Sequence, residues 1–430
     1  MWVKLQYVLN VASDICCNCV RFQLVVEIFL HEMGLKRMPS FQELDNISIQ
    51  DLRETGTTKW NREDQAIGAF VAEMDFGVAE PIKQRLHAEV DNQLFAYLPP
   101  KYQTELRNSV SSYIRDVQGW EIEPTQVYEM PDVIACYRAA YTSFTKPGSK
   151  IIVPTPSYMP FLSAPPADGR EVLEVPMHVD EDTQTYTYDL EAIEAAFDAG
   201  GELLVLCNPH NPTGRVMRRE ELQSIEELVD RKNGRVFSDE IWSPLVFEPN
   251  RHISYASIGP KAAEHTITAM AASKAFNLPG LKCSQLILTN PADQKHWEEI
   301  GFLDMHGAAN LGLAATSAAF DDSREWLGDI LGYLERNRDT LVNMVAELMP
   351  KAKVTTPEGT YVAWIDLSAY DIQGSLSDYL VEHAGVMCTE GTACGEAGKD
   401  HVRFIFAMPH PILQESVEKI AQALNRLTPS

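Results

Sequence analysis

The chain has 430 residues, more than one hydrophobic core usually contains, so two domains are expected. Hydrophobic residues make up 45% and charged residues 23%, as in ordinary globular enzymes. The 61 Asp and Glu outnumber the 36 Lys and Arg, and the formal charge of -25 argues against a nucleic-acid partner or an anionic membrane surface.

Residues 1–37 differ from the rest of the chain. They contain a CC-x-C cluster between Cys16 and Cys19 and an apolar run at 22–30 that two polar residues interrupt. This run is too short and too polar to span a bilayer, and it lacks the basic start of a signal peptide. The three cysteines of this cluster are not interpreted as a zinc site, and no metal is expected. We interpret 1–37 as a non-native or disordered extension.

The eight cysteines are few and irregularly spaced for a chain of this length. They do not form the pattern of a disulfide framework, and a reducing cytoplasm is therefore expected.

From about Gly77 onward, helical and strand patterns alternate, which is typical of parallel α/β architecture. Segment 219–232 places Leu222, Ile225 and Leu228 on one face, as expected of an amphipathic helix that covers a sheet. Five segments are predicted to be buried strands, each followed by turn residues: 150–156, 202–209, 234–240, 265–272 and 283–290.

After about residue 325 the pattern changes to a long helix, a strand, a second helix and another strand, which indicates a smaller α+β domain. We therefore expect a large, mostly parallel-sheet α/β domain at 85–325 and a small α+β domain at 326–430. Residues 38–84 are expected to join the small domain.

Three polar residues follow or end predicted strands. Asn211 follows one strand, Asp239 ends the next, and Lys274 follows another. Ligands of open α/β sheets bind beyond the carboxyl ends of the strands, so these side chains are expected to meet in one site. A lysine in this order can be the Schiff-base lysine that holds pyridoxal phosphate (PLP).

The longer motifs are Met74-Asp75-Phe76, LLVLCNPHNPTGRV, SDEIWSPLV, SKAFNLPGLK, GTYVAWIDL and VRFIF. Together they resemble the PLP-dependent fold-type I enzymes of the class I/II aminotransferase superfamily, over about residues 50–425. Within it the chain is most similar to the branch of MalY/PatB-type cystathionine beta-lyases and other carbon-sulfur lyases. The resemblance implies the PLP-dependent transferase fold, with a large α/β domain and a smaller α+β domain.

The chemistry of PLP explains the three polar residues. Lys274 would bind the cofactor covalently and move protons once displaced. Asp239 would keep the ring nitrogen protonated, although an Asp after a strand can also be a turn cap. Asn211 would donate a hydrogen bond to the phenolic oxygen. Neighbouring His210 and Glu240 are interpreted as scaffold or surface residues.

The phosphate is expected at a helix N-terminus, where free N–H groups and the helix dipole favour an anion. The backbone of Val133 and Ile134 falls at such a start, and Asp132 is expected to act through its backbone or as a cap. Ser273 and Lys282 are the candidate phosphate-binding side chains. Lys282 stands where related aminotransferases often have arginine.

The resemblance implies three further roles. Tyr158 would stack on the cofactor ring, unless it is simply a core aromatic. Tyr97 would reach the phosphate of a neighbouring subunit, which implies a homodimer. Arg403, unless it is a surface arginine, would bind the substrate α-carboxylate and close the small domain over the cofactor.

Two positions depart from the lyase branch. Trp242 stands where the branch usually has His and aminotransferases often have Tyr, which puts leaving-group specificity in doubt. Ile405 follows Phe404 where the branch usually reads Leu-Asn, so an amide donor near the carboxylate is missing.

The predicted function is a PLP-dependent beta-lyase of amino-acid metabolism, of the cystathionine beta-lyase type found in methionine biosynthesis. It would cleave L-cysteine S-conjugates to thiol, pyruvate and ammonia. One alternative is an amino-acid aminotransferase, which shares the same residues. Another is a non-catalytic regulator, although the intact set of four polar residues argues against it. These residues are Lys274, Asp239, Asn211 and Arg403.

Overall fold

The computed structural model describes residues 40–63 and 65–427. The interpretation of residues 1–37, including the CC-x-C cluster, lies outside the described residues. Internal contacts divide the chain into Met1–Glu43 and Leu44–Ser430. The second unit contains both predicted domains.

The helices and strands follow the chain in this order. The helices are α1 (Phe41–Asp45), α2 (Ile49–Glu54), α3 (Thr58–Asn61), α4 (Glu80–Asp91), α5 (Pro100–Gln118), α6 (Val133–Ser143), α7 (Met159–Ala167), α8 (Leu190–Asp198), α9 (Arg219–Lys232), α10 (Pro260–His265), α11 (Pro291–Ile300), α12 (Phe302–Met305), α13 (Asn310–Asp322), α14 (Arg324–Leu348), α15 (Leu376–Ala384) and α16 (His410–Asn425). The strands are β1 (Ile67–Gly68), β2 (Val127–Met130), β3 (Lys150–Thr155), β4 (Val172–Pro176), β5 (His178–Asp180), β6 (Thr185–Thr187), β7 (Gly201–Cys207), β8 (Arg235–Asp239), β9 (Thr266–Met270), β10 (Ser284–Leu288), β11 (Lys353–Val354), β12 (Val362–Asp366), β13 (Val386–Met387), β14 (Thr389–Glu390) and β15 (His401–Ile405).

The central sheet has seven strands in the order β2-β10-β9-β8-β7-β3-β4. Strand β10 runs antiparallel to β2 and β9, and the other neighbours are parallel. The five predicted strands correspond to β3, β7, β8, β9 and β10, so the expected α/β fold with a mostly parallel sheet is confirmed. Amphipathic helix α9 has the predicted bounds.

Both faces of this sheet are buried, which explains the nearly continuous apolar runs of its strands. In β7, Leu203 and Val205 pack on the face that α6 covers. Leu204 and Leu206 point to the opposite face and pack against α8 and α9. The alternation follows from the two-residue repeat of a strand.

A second, antiparallel sheet has the order β11-β12-β15-β14. It comes from the predicted α+β region together with α14, α15 and α16. The chain before α4 pairs with this region, because Ile67 of β1 aligns with Val386 of β13 in a parallel pair. The domain limits at 85–325 and 326–430 stay a prediction.

In the part of the chain that the structure describes, no helix is long and apolar enough to cross a membrane.

Candidate active site

A cavity of about 730 Å³ lies at the carboxyl ends of the parallel strands. Its wall combines the end of β8, the loops after β7 and β9, the N-terminus of α6 and strand β15. Nine of the ten residues predicted for the site line it: Val133, Ile134, Tyr158, Asn211, Asp239, Ser273, Lys274, Lys282 and Arg403.

Lys274 reaches this cavity from the loop after β9. Its Nζ donates a hydrogen bond to the backbone carbonyl of Ala72 at 2.9 Å and lies 5.6 Å from the ring centroid of Trp242. Burial, helped by the positive charge of Arg403, lowers the pKa of the Lys274 amine to about 8. More of this amine is therefore neutral near physiological pH than of an ordinary lysine, and the neutral form is the one able to attack a carbonyl carbon.

Asp239 ends strand β8 and is almost fully buried. One carboxylate oxygen accepts a hydrogen bond from the backbone N–H of Ile241 at 3.0 Å, so Asp239 also caps the turn that follows β8. The other lies 3.9 Å from the Cys207 thiol. Burial raises the pKa of Asp239 to about 7. A cationic ring nitrogen beside this carboxyl would be strongly favoured, because it would compensate a charge that the protein leaves nearly unpaired.

Arg403 projects from β15 and is 3% exposed. Its guanidinium donates to the Phe70 carbonyl at 2.8 Å, to Thr389 Oγ1 at 3.3 Å and to Asn211 Oδ1 at 3.3 Å. Within residues 40–63 and 65–427, it forms no ion pair, and its buried Nε has no hydrogen-bond partner. A buried guanidinium without a counter-ion at a cavity wall is suited to bind a carboxylate.

The N-terminus of α6 faces the same cavity. Asp132 caps this helix, as expected, by accepting a hydrogen bond from the Ala135 N–H at 2.8 Å. The backbone N–H groups of Val133 and Ile134 precede the first intrahelical bond and are available to an anion. Lys282 Nζ pairs with the Asp132 carboxylate at 3.0 Å, which places the lysine at this anion site but engages its charge.

Two aromatic residues predicted for the site behave differently. Tyr158 is partly buried at the cavity wall and packs edge-on against Phe161. Tyr97 does not line the cavity; its side chain is 88% exposed, 6.3 Å from the His306 ring. A residue that serves a neighbouring subunit is expected to be exposed on its own chain.

The two neighbours interpreted as scaffold residues are both buried. His210 bonds to Thr213, and its burial lowers its pKa to about 3. Glu240 accepts hydrogen bonds from Ser238 and the Tyr255 N–H, and it contacts His252, so it is structural and not a surface group.

One buried residue beside the site was not predicted from the sequence. Tyr361 is fully buried, and its hydroxyl donates to the Ala72 carbonyl at 3.0 Å. Its ring lies edge-on to Trp242 at 4.7 Å. Tyr361 belongs to the GTYVAWIDL motif, but the resemblance of this motif to a family does not predict a hydrogen bond to Ala72.

Similarity to known proteins agrees with this geometry. The model of the family described as aminotransferase class I and II matches residues 71–420. This chain belongs to that family. It is 33% identical over 377 residues to a cystathionine beta-lyase of Corynebacterium glutamicum, covering 87% of this chain and 99% of the relative.

Two solved structures are similar throughout. The PLP-bound C-S lyase of Staphylococcus hominis has a TM-score of 0.79 and 26% identity, covering 89% of this chain and 98% of the other. Cystalysin of Treponema denticola, which contains a pyridoxal 5'-phosphate cofactor, has a TM-score of 0.81 and 27% identity, with the same two coverages.

The residues at the cavity fit such a cofactor. The α6 N-terminus offers N–H groups to a phosphate, Asp239 offers a buried carboxyl to a ring nitrogen, and Lys274 offers an amine of lowered pKa. Among the described residues, no cluster of His, Cys, Asp and Glu has the arrangement of a metal site.

Proposed function

We propose that this chain is a PLP-dependent carbon-sulfur beta-lyase that cleaves L-cysteine S-conjugates, such as cystathionine, to thiol, pyruvate and ammonia. The observation that carries the proposal is the meeting of Lys274, Asp239 and Arg403 at one cavity. The likeness to a cystathionine beta-lyase over nearly the whole relative supports the reaction.

The bound cofactor supplies an electron sink for negative charge that develops at Cα of a linked amino acid. Asp239 would maintain that sink by pairing with the ring nitrogen. Asn211 would use its amide N–H for the phenolic oxygen, since its carbonyl oxygen already accepts from Arg403. Tyr158 would cover the ring and exclude water. Val133 and Ile134 would bind the phosphate through their backbone, together with Ser273 and Lys282.

Arg403 binds the α-carboxylate of the substrate and thereby orients Cα and Cβ. The Lys274 amine, once free, would take the proton from Cα. The electron pair of that C–H bond then allows the Cβ–S bond to break, and the thiol departs with a proton. Hydrolysis of the remaining three-carbon unit gives pyruvate and ammonia.

An aminotransferase is the second candidate, since a PLP-bound site of this family performs proton transfer at Cα in both reactions. The two differ in the fate of that proton and in the leaving group at Cβ. The similarity to a cystathionine beta-lyase and to a C-S lyase favours elimination.

Product analysis tests the proposal. Purified protein is incubated with L-cystathionine, with and without a keto acid, and thiol, pyruvate and the keto acid are measured. We expect equal amounts of thiol and pyruvate, independent of the keto acid, and loss of both in Lys274→Ala. Consumption of the keto acid without release of thiol would contradict a lyase.

We further propose a cytoplasmic homodimer in which Tyr97 reaches the neighbouring subunit's phosphate. The support is an exposed apolar surface around Tyr97, which includes Phe95, Phe302 and Leu303 at 65%, 66% and 80% exposure. Sedimentation velocity would contradict this proposal if the protein behaved as a single 48.2 kDa chain.

A further inference from the structure

The backbone carbonyl of Ala72 accepts two hydrogen bonds at the cavity wall. Lys274 Nζ donates at 2.9 Å and the Tyr361 hydroxyl at 3.0 Å. A carbonyl oxygen has two lone pairs, so both donors are accommodated together. Only one of them, the lysine, is expected to leave during a reaction.

This carbonyl is held in place by the segment on its C-terminal side. Lys59 is buried, pairs with Asp75 at 2.9 Å and donates to the Glu73 carbonyl at 3.2 Å. Asn277 exchanges two hydrogen bonds with the Met74 backbone, at 3.0 and 2.8 Å. The Ala72 carbonyl is therefore a fixed acceptor that cannot simply follow the lysine.

A second group faces the same amine. The ring of Trp242 is 1% exposed and has Lys274 Nζ 5.6 Å from its centroid. Tyr361 packs edge-on against this ring at 4.7 Å and an interplanar angle of 78°. An aromatic face stabilises an ammonium group, and this effect increases when water is excluded.

We propose that the Ala72 carbonyl and the Trp242 ring form a resting site for the Lys274 amine. In this proposal Tyr361 is the positioning residue that allows the amine to leave the site and to return to it. The inference rests on the proposed function, which requires Lys274 to alternate between the cofactor and a free state. When the amine leaves, the Tyr361 hydroxyl keeps the half-buried carbonyl hydrogen-bonded. Lys274 can then move without leaving an unsatisfied acceptor behind.

The Tyr361→Phe variant separates this role from a purely structural one. Without the hydroxyl, the Ala72 carbonyl has a protein partner only while the amine rests there, and the loss of a hydrogen bond at this half-buried carbonyl is worth on the order of a ten-fold change in equilibrium. We expect the affinity of the apoprotein for PLP to fall about ten-fold. Displacement of Lys274 from the holoenzyme by L-alanine, which has no leaving group at Cβ, should become about ten-fold more favourable.

Both equilibria are measured from the absorbance of the cofactor and do not depend on turnover. The resting site predicts that PLP affinity and displacement by L-alanine change in opposite directions. PLP binding removes the amine from the resting site, whereas L-alanine returns the amine to it. A general disturbance of the cavity would weaken both equilibria together. That result in Tyr361→Phe would overturn the inference.

Trp242 provides an independent test with a matched control. Trp242→Leu removes the aromatic face, so we expect the opposite pattern: L-alanine displaces Lys274 several-fold less readily, and PLP affinity does not fall. Trp242→Phe retains a ring and should change both equilibria less. Equal effects of the Leu and Phe variants would contradict a role for the ring.

The wild-type titration separates this inference from the proposed function. If PLP added to the wild-type chain produced no visible absorbance band, both would be wrong. If the band formed and the variants failed to show opposed shifts, only the resting site would be wrong.

Discussion

At the scale of single residues, the site is shaped by charges that the fold buries without pairing them directly. Arg403 and Lys274 both lie at the wall of one cavity, and neither forms an ion pair within the described part of the chain. The repulsion between two buried cations contributes to the low pKa of Lys274 and leaves Arg403 ready for an anion. A zwitterionic amino acid supplies the carboxylate that this arrangement lacks.

The pKa of Lys274 leads to a prediction about cofactor binding. Only the neutral amine attacks the aldehyde, so the rate at which PLP becomes linked should rise with pH and level off near pH 8. An unperturbed lysine would keep gaining rate to about pH 10. The measurement is the appearance of the visible band after PLP is added to apoprotein between pH 6 and 10, with Nα-acetyl-lysine as the control.

The same lowered pKa affects stability with a defined sign. The folded chain loses the Lys274 proton near pH 8, whereas the unfolded chain keeps it until its ordinary value of 10.5. Between these limits the unfolded state binds more protons, so this group makes folding more favourable as pH rises.

A rate of PLP linkage that climbs steadily to pH 10 would show that the pKa of the Lys274 amine is not lowered.

At the scale of elements, close packing of α13 positions one end of the cavity. The Ala309 N–H at the start of this helix donates to the Lys282 carbonyl at 3.0 Å. A Cβ atom on Gly312 would lie 2.1 Å from the carbonyl oxygen of Leu281, which is backbone and cannot swing aside. The helix can therefore approach the 279–282 loop only with a glycine at this position.

Gly312→Ala should therefore destabilise the protein, by about 1–3 kcal/mol, because helix and loop must separate. Gly328 in α14 is the matched control, since a Cβ there meets nothing within 4 Å. Gly328→Ala should stabilise the protein by about 0.5–1 kcal/mol through helix propensity. Urea unfolding measures both, and a loss of stability of equal size in the two variants would contradict the packing argument.

The five central strands of the main sheet and helix α9 could be predicted from the sequence because their signals are local. The apolar runs that became β3, β7 and β8 and the periodicity of α9 depend on neighbouring residues alone. The antiparallel direction of β10 was not predicted, because strand direction depends on the path of the chain between strands. Strands β2 and β4, at the two edges of the sheet, were missed altogether.

At the scale of the whole molecule, the site joins parts of the chain that are far apart in sequence. The meeting of Asn211, Asp239 and Lys274 at one cavity could be predicted from motif order, because strand ends of a parallel sheet share an edge. The pairing of Ala72 with Lys274 and Tyr361 could not be predicted, since it requires the early segment to contact both the loop after β9 and the residue just before β12. The role proposed for exposed Tyr97 likewise depends on an assembly of chains.

The central claim is that Lys274 carries the cofactor, and the most direct measurement is to trap that bond. Full-length protein is incubated with PLP, reduced with borohydride and digested, and the modified peptide is identified by mass spectrometry. The account predicts one pyridoxyl group per chain, on Lys274. Modification of Lys282, which lines the same cavity, or the absence of any specific adduct would contradict it.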